Sequence, residues 1–571
     1  MDAVTPLSSP TRWGMVITGV VQGLLCYLLT VYLIPKEIGW MYYGLPGSLA
    51  LSSVLLFTVV SFKQRALWGW LALILVVVLG MGGWLKSSLS GETWRQYSAM
   101  WNYGWCLLLM TLLVLPWMQY RLQPQPGTTR YAHFYTQQWQ NTLTLLLIAV
   151  ANGLVWLILL LWSGLFELAN ITFFSRLFFE TQWFVYLVVG LVTALTVILA
   201  RQQTRLITAI HKLLALVATG LLPLVSLLAL LFLATLPFSG LAVISQRVSA
   251  AGLLSALALI QLLLTAMVWE PQKSQLPYPQ ALRYLILAAI ALMPVYALIA
   301  GWALWQRIGQ YGWTTDRLYG ALVVVVLLVW SVGYLVSLLR YRGDPSASMG
   351  KVHLAVSLLG LVLLVSLYTP VLDSWRISVN SHMARYHSGK ITADQVSLYM
   401  LSRSGKPGRK ALLELQNDAE FTKDAKRARL LMRLIKGDLS PVETLTAATL
   451  AKNVLVAKGS LSADDALWAA VIERRYQVES CNDMDSCVLV SQDLNGDGQP
   501  EQVLYAFGDR TVLVFGRGEK GWEFKASASL PAGITKATLL EAVKEGRVGA
   551  KPKAWRDMTL GDETVVLEYR R

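Results

Sequence analysis

Residues 493–501 read Asp493-Leu494-Asn495-Gly496-Asp497-Gly498-Gln499-Pro500-Glu501, which places oxygen-bearing side chains at positions 1, 3, 5 and 9 of a glycine-rich turn. The main-chain carbonyl of Gln499 falls at position 7. A hard cation such as Ca²⁺ takes six to eight oxygen ligands, and a tight turn lets this spacing converge on one point. An EF-hand would also need a bidentate glutamate at position 12, where Leu504 stands. The alternative is a hairpin whose Asn-Gly and Asp-Gly turns close without metal. In either case the loop lacks an open coordination position or a neighbouring base, so the chemistry it offers is structural.

Cys481 and Cys487 flank the polar stretch Asn482 to Ser486 just upstream. With no histidine or further cysteine beside them they suit a local disulfide better than zinc, and an oxidising compartment is the condition for that bond. Cys26 and Cys106 lie inside apolar runs, where a cysteine is a small buried hydrophobe. The five histidines are His133, His211, His353, His382 and His387, and none pairs at the i, i+4 spacing of a helical metal site. No Ser/His/Asp grouping and no phosphate-binding glycine loop is present, so no catalytic residue is expected.

The elements that carry these residues fall into two regimes. Of 571 residues 55% are apolar and 15% charged, and the mean hydropathy is +0.50, which puts the chain in the membrane class. Eleven apolar runs predict spans over 13–34, 43–62, 66–85, 101–119, 141–163, 182–200, 211–236, 249–269, 281–305, 318–339 and 352–371, each near the ~20 residues that cross a bilayer. The first run is too long for a signal-peptide core and is followed by Pro35-Lys36-Glu37. Tryptophans gather near span ends, as at Trp40, Trp68, Trp84, Trp94 and Trp101, where an indole buries its ring and keeps its N–H wet.

The formal charge of +15 does not indicate nucleic acid. Residues 1–372 carry 20 Lys/Arg against 8 Asp/Glu, whereas residues 373–571 carry 29 against 26, so the excess sits on short loops between spans. Alternate loops divide those 20 basic residues 13 to 7, with Arg12, Lys63, Arg65, Arg121, Arg130, Arg201, Arg205, Lys212, Lys273, Arg283, Arg340, Arg342 and Lys351 on the richer side. Positive charge marks the cytoplasmic face, which places the N-terminus inside. An odd number of spans then places the C-terminus outside, in the periplasm of a bacterial inner membrane, where a Cys481–Cys487 bridge can form.

Ionisable residues are nearly absent from the spans. Mid-span Asn152 and Gln261 read as interhelical hydrogen bonds, and Pro223 and Pro294 as kinks. The outward-side acids Glu37, Glu92, Glu167, Glu180 and Asp316 are scattered, and Glu37 is the sole carboxylate of a short first loop. This argues against proton-coupled transport and gives little support to a transferase acting on lipid-linked sugars.

The tail divides in the reading into a juxtamembrane helical part, 373–480, and a small α+β part, 481–571. Residues 373–390 run Asp-Ser-Trp-Arg-Ile-Ser-Val-Asn-Ser-His-Met-Ala-Arg-Tyr-His-Ser-Gly-Lys. With Arg376, Ile377, Ser378, Ser381, Arg385, Ser388, Gly389 and Lys390 this segment resembles the post-membrane segment of the bacterial membrane proteins grouped as domain of unknown function 4153. His382 and Tyr386 stand where that family more usually has Gln and Leu. The resemblance implies many spans followed by a C-terminal domain, and no activity. The residues themselves read as a helix with Trp375, Arg376 and Arg385 at the headgroup layer, either as anchors or as lipid contacts. Lys423 to Lys436 holds six basic residues, a solvated face or a surface attracted to anionic lipid. Capped helices are expected at Thr392/Gln395, Ser440-Pro441/Glu443 and Ser462, with a Gly/Pro break over 404–409. Strands are expected over 488–490, 502–507, 511–515, 522–526 and 564–569, with a helix over 537–544.

The expected fold class is a polytopic α-helical membrane protein of about eleven spans with a C-terminal soluble helical, then α+β, domain. The expected role is an envelope scaffold or sensor that engages an envelope protein partner. A transporter or flippase for a lipid or uncharged solute comes second, and a membrane transferase third.

Overall fold

The computed structural model describes residues 7–89, 93–123, 128–245, 249–271, 275–341, 344–436, 446–474, 477–482, 484, 486–518, 521–531, 534–550, 558–560 and 563–565. Glu92, Arg247, Lys273, Arg342, the Ser440-Pro441-Glu443 cap and the end of the last expected strand lie outside these residues. Among them eleven helices are long and apolar enough to cross a bilayer: Ser9–Leu33, Gly39–Thr58, Arg65–Ser88, Ala99–Leu122, Arg130–Leu168, Gln182–Gln202, Thr204–Phe238, Ala250–Val268, Gln280–Tyr311, Thr315–Arg340 and Ser346–Ser366. Each coincides with one run expected from sequence, and we number the spans in this order. The protein is a multi-pass membrane protein.

The chain forms two compact units, Met1–Ile435 and Lys436–Arg571, which divides it differently from boundaries at 372 and 480. Helices after the last span belong with the spans, and helices 447–472 belong with the sheet.

Within the first unit the spans build two large hydrophobic cores, and a small cluster of Leu143, Ala200 and Ile207 joins spans five, six and seven. One core joins spans one to four with span six, around Met15, Val54, Leu67, Val78, Tyr103, Met118 and Val197. The other joins spans seven to eleven, around Leu222, Leu254, Leu262, Ile290, Met293, Leu327 and Tyr334. Outward-facing leucines such as Leu154, Leu157, Leu161, Leu216, Leu224 and Leu231 are exposed, as lipid-facing residues must be.

In hydrocarbon, helices associate by close packing rather than by the hydrophobic effect, so small residues decide where backbones meet. Gly19 and Gly23 of span one lie against Gly190 and Ala194 of span six, and a Cβ added to Gly19, Gly23 or Gly190 would overlap main-chain atoms of the facing helix. One proline inside a span is satisfied in the same economical way. Pro223 has no N–H for the carbonyl of Thr219, and the hydroxyl of Tyr278 donates to it instead at 2.8 Å. At the end of span two, Arg201 reaches from span six to donate to the carbonyls of Leu56 and Val59 at 2.9 and 2.7 Å.

The second unit is a five-stranded sheet in sequence order: β1 (Val454–Val456), β2 (Cys487–Gln492), β3 (Glu501–Ala506), β4 (Thr511–Gly518) and β5 (Gly521–Ser529). β1 pairs with β2 in parallel and the remaining pairs are antiparallel. One face buries Leu489, Leu504, Leu513 and Phe515 under Leu467, Trp468 and Val471 of the helix Asp465–Ile472. The other buries Val488 and Val490 against Leu539 of the helix Lys536–Lys544. A separate hairpin pairs Met558–Leu560 with Glu563–Val565. β1 had no sequence signal, being three residues at the end of a helical stretch.

Candidate functional site

Three groups of polar residues carry the functional argument, the first at the junction of span eleven with the tail. Asp373 caps the helix Ser374–His387 by accepting from the N–H groups of Trp375 and Arg376, both at 3.1 Å. Arg385, three turns on, donates to the carbonyls of Gly309 (2.9 Å) and Gln310 (2.5 Å) at the end of span nine. Ser381 accepts from the N–H of Trp313 at 2.9 Å, and Ser378 donates to the Trp313 carbonyl at 3.3 Å. Gly312 sits at φ +81°, and a Cβ there would crowd Ser381 and Arg385, so the contact needs glycine. Trp375 is half-buried against the first core and the Gly405 backbone, while Arg376 is exposed and donates to the carbonyl of Pro370. Thus the three residues expected at the headgroup layer do distinct jobs. Trp375 and Arg385 join the helix to the spans, and Arg376 alone is exposed.

The helices that follow extend this junction. Gly405 (φ +56°) abuts the carbonyl of Ser88 at the end of span three. The expected break at 404–409 is instead the start of the helix Gly405–Gln416, because Pro407 falls in a first turn where a missing N–H costs nothing. Thr392 and Gln395 form the expected capping box, around a single turn. His382 accepts from the Ser397 N–H at 3.0 Å and is held below its ordinary value, by burial first and then by Arg385. Tyr386 donates to Asp418 at 2.7 Å; burial and then this carboxylate push the phenol up to about 12, and the same bond holds Asp418 low.

The second group is the 493–501 turn, between β2 and β3. Asp493 accepts from the N–H groups of Gly496 (2.7 Å) and Gly498 (3.0 Å), Asn495 from Asp497 (2.8 Å), and Asp497 from Gln499 (2.7 Å). Glu501 accepts from the Leu494 N–H at 2.7 Å. Gly496 and Gly498 adopt φ +82° and +80°, the left-handed values this spiral demands. Hydrogen bonding from the Gln499 N–H, then from Asn495, holds the Asp497 carboxyl below its usual range. Among the described residues no three His, Cys, Asp or Glu side chains gather as a metal would require. The oxygens suit Ca²⁺ in kind, yet each carboxylate is already engaged by the loop's own N–H groups. The sulfurs of Cys481 and Cys487 stand at bonding distance, with Cα atoms 5.2 Å apart.

The third group lies on span five and was not anticipated. That helix begins at Arg130 rather than 141, and its first turns carry two stripes. His133, Gln137, Asn141 and Thr144, at helical spacing, are only 2% to 8% exposed. Asn141 exchanges hydrogen bonds with Gln119 of span four (3.0 and 2.9 Å), and Gln119 also donates to the Phe57 carbonyl. On the adjoining stripe Tyr131 stacks on His353 of span eleven with ring centroids 5.3 Å apart, and Tyr334 of span ten bonds that imidazole at 2.5 Å. Tyr135 lies 3.4 Å from the His211 ring nitrogen, with Trp139 packed on the same imidazole. Two histidines from other spans, His211 of span seven and His353 of span eleven, therefore meet one stretch of span five, whose other stripe carries His133. Gln261 makes the expected interhelical bond, to Ser226 at 2.8 Å. Asn152 does not: its amide donates to the Ile148 carbonyl of its own helix at 2.9 Å.

A family model described as "Domain of unknown function (DUF4153)" matches residues 50–415, well over half of the chain. The chain belongs to the DUF4153 family. The shared region runs from span two through the helix Gly405–Gln416, so in this DUF4153 protein it includes Trp375, Arg376 and Arg385 and ends before the second unit. No curated protein and no solved structure matches the chain.

Proposed function

We propose that this DUF4153 protein is a scaffold or sensor of a bacterial inner membrane, with its N-terminus cytoplasmic and everything after span eleven periplasmic. The 13-to-7 division of basic residues among the loops supports that orientation, as does the Cys481–Cys487 pair, which suits an oxidising compartment. The observation that carries the reading is the bonding of the helix Ser374–His387 to the end of span nine through Arg385 and Ser381. Such a helix passes a pull on the tail directly to the span ends, which a loosely tethered domain could not do.

The 493–501 turn enters this reading as a rigid corner of the partner-binding unit. Ca²⁺ there, at the ~10⁻⁴–10⁻³ M typical of extracellular modules, would stiffen the corner and do no chemistry. The buried polar stripe of span five, bonded to Gln119 of span four, favours the second reading, a path for an uncharged solute or lipid.

Photo-crosslinking in living cells separates the two. A photoreactive residue replacing exposed Leu461 or Met484 is expected to yield one discrete protein adduct. The absence of any adduct, together with a discrete bound lipid or solute in native mass spectrometry from nanodiscs, would overturn the scaffold in favour of transport.

A further inference from the structure

The end of span nine gathers cations. The guanidinium of Arg307 lies 5.8 Å from the centroid of the Tyr311 ring, and that of Arg317, on span ten, lies 5.4 Å from the same ring. Arg317 also donates to the carbonyl of Gly312 at 2.6 Å. The stem of Arg385 passes over that same glycine to reach the carbonyls of Gly309 and Gln310. Three arginines from three helices are thus drawn around one exposed tyrosine and one helix end.

Little within the protein balances them. Arg317 lies within electrostatic reach of both Arg307 and Arg385 but of a single carboxylate, Asp316. Among the described residues none of the three arginines has a carboxylate at ion-pair distance. The C-terminal end of a helix is worth about half a negative charge, so with Asp316 it offsets only about half of the three positive ones. Like charges held together repel, and a bound anion relieves that cost. The chemistry of that anion follows from the guanidinium, whose planar fork matches the oxygens of a phosphate. The contacts with Tyr311 hold two of the forks in place instead of letting them trail into water.

The depth of the cluster says where the phosphate comes from. Trp302 and Trp305 of the same span are 58% and 64% exposed. At 1.5 Å per residue they stand about 14 and 9 Å deeper in the bilayer than Tyr311. Exposed indoles mark the boundary between acyl chains and headgroups, so the arginines stand at the level of the lipid phosphates. We propose that Arg307, Arg317 and Arg385 form a binding site for the phosphate of an anionic lipid headgroup, with Tyr311 as its floor. A lipid seated there bridges spans nine and ten to the helix Ser374–His387. The site does not depend on which face of the membrane this end of span nine occupies, nor on any partner of the second unit.

The test is native mass spectrometry of the full-length protein released from nanodiscs of equal parts phosphatidylglycerol and phosphatidylcholine. The wild type is expected to retain phosphatidylglycerol selectively. Arg307→Gln, at an exposed position, is expected to lower that retention about fivefold. Arg307→Lys, which keeps the charge without the planar fork, is expected to fall between the two. Arg176→Gln removes an exposed arginine from the loop between spans five and six, on the same membrane face, and is expected to leave retention unchanged. Equal retention of the two lipids by the wild type overturns the proposal, as does undiminished retention in Arg307→Gln. An equal loss in Arg176→Gln overturns it too, since the attraction would then be that of any surface charge. Displacement of the lipid by millimolar inorganic phosphate also overturns it, because the site would then take a free anion.

Discussion

Removing one side chain, with Arg385→Ala, tests whether the tail is coupled to the spans. The side chain is half-buried overall, and its guanidinium donates to two main-chain carbonyls at the exposed end of span nine. A hydrogen bond to a charged group is worth about 1.5–3 kcal/mol when enclosed, and surface exposure lowers each of these to roughly 1 kcal/mol or less. The cation also faces the negative end of a helix, which adds about 0.3–1 kcal/mol. Local opening should therefore become easier by roughly 1–2 kcal/mol, so amides of 374–387 and 309–313 should exchange about 5–30-fold faster. Hydrogen-exchange mass spectrometry of the protein in nanodiscs reads both segments. Arg385→Lys, which keeps the charge but loses the fork, should fall between the two. Unchanged exchange in both segments, or equal acceleration in the distant sheet, would refute the reasoning.

The remaining predictions concern packing, covalent structure and pH. Gly190→Val should drive span one from span six at a cost of at least about 1–3 kcal/mol, lowering the melting temperature in detergent, whereas Gly153→Ala, facing open space, should not. Cys481→Ser/Cys487→Ser opens a short loop whose closure is worth roughly 2 kcal/mol, so the second unit should lose its fold at lower denaturant concentration, and reductant should mimic the change in the wild type. Tyr386 is raised to about 12, so the folded state favours the neutral phenol: its stabilisation is complete below about pH 10 and is lost as pH rises from 10 to 12. The protection factor of 374–387, which corrects exchange for its base-catalysed intrinsic rate, should fall through that window in the wild type and stay flat in Tyr386→Phe.

What the sequence could and could not disclose follows from the range of the forces involved. The eleven spans were legible because each needs only a local run of apolar residues, and that run suffices whatever the helix packs against. Strands β2 to β5 were legible for a similar reason, since alternating residues between Gly-rich turns specify a half-buried strand locally. β1 was not, because three residues of strand are fixed by their parallel partner β2 and by nothing nearby. Gly405 and Pro407 read as a break because Gly and Pro usually punctuate; at a helix start the same residues are permitted, and the carbonyl of Ser88, more than three hundred residues away, joins the left-handed φ and Trp375 in requiring that Gly405 be bare. Arg385 illustrates the same limit: an arginine beside a span reads as a headgroup anchor until Gly309 and Gln310 are found under it. The stripe of span five was within reach. His133, Gln137 and Asn141 recur every four residues, and that period extends the apolar helix backwards through a segment whose polarity reads as loop. Polarity near a membrane does not separate exposed from buried. The period does, because solvent imposes no register on a helix, whereas Gln119 and Tyr120 of span four, packed against Asn141 and His133, impose one.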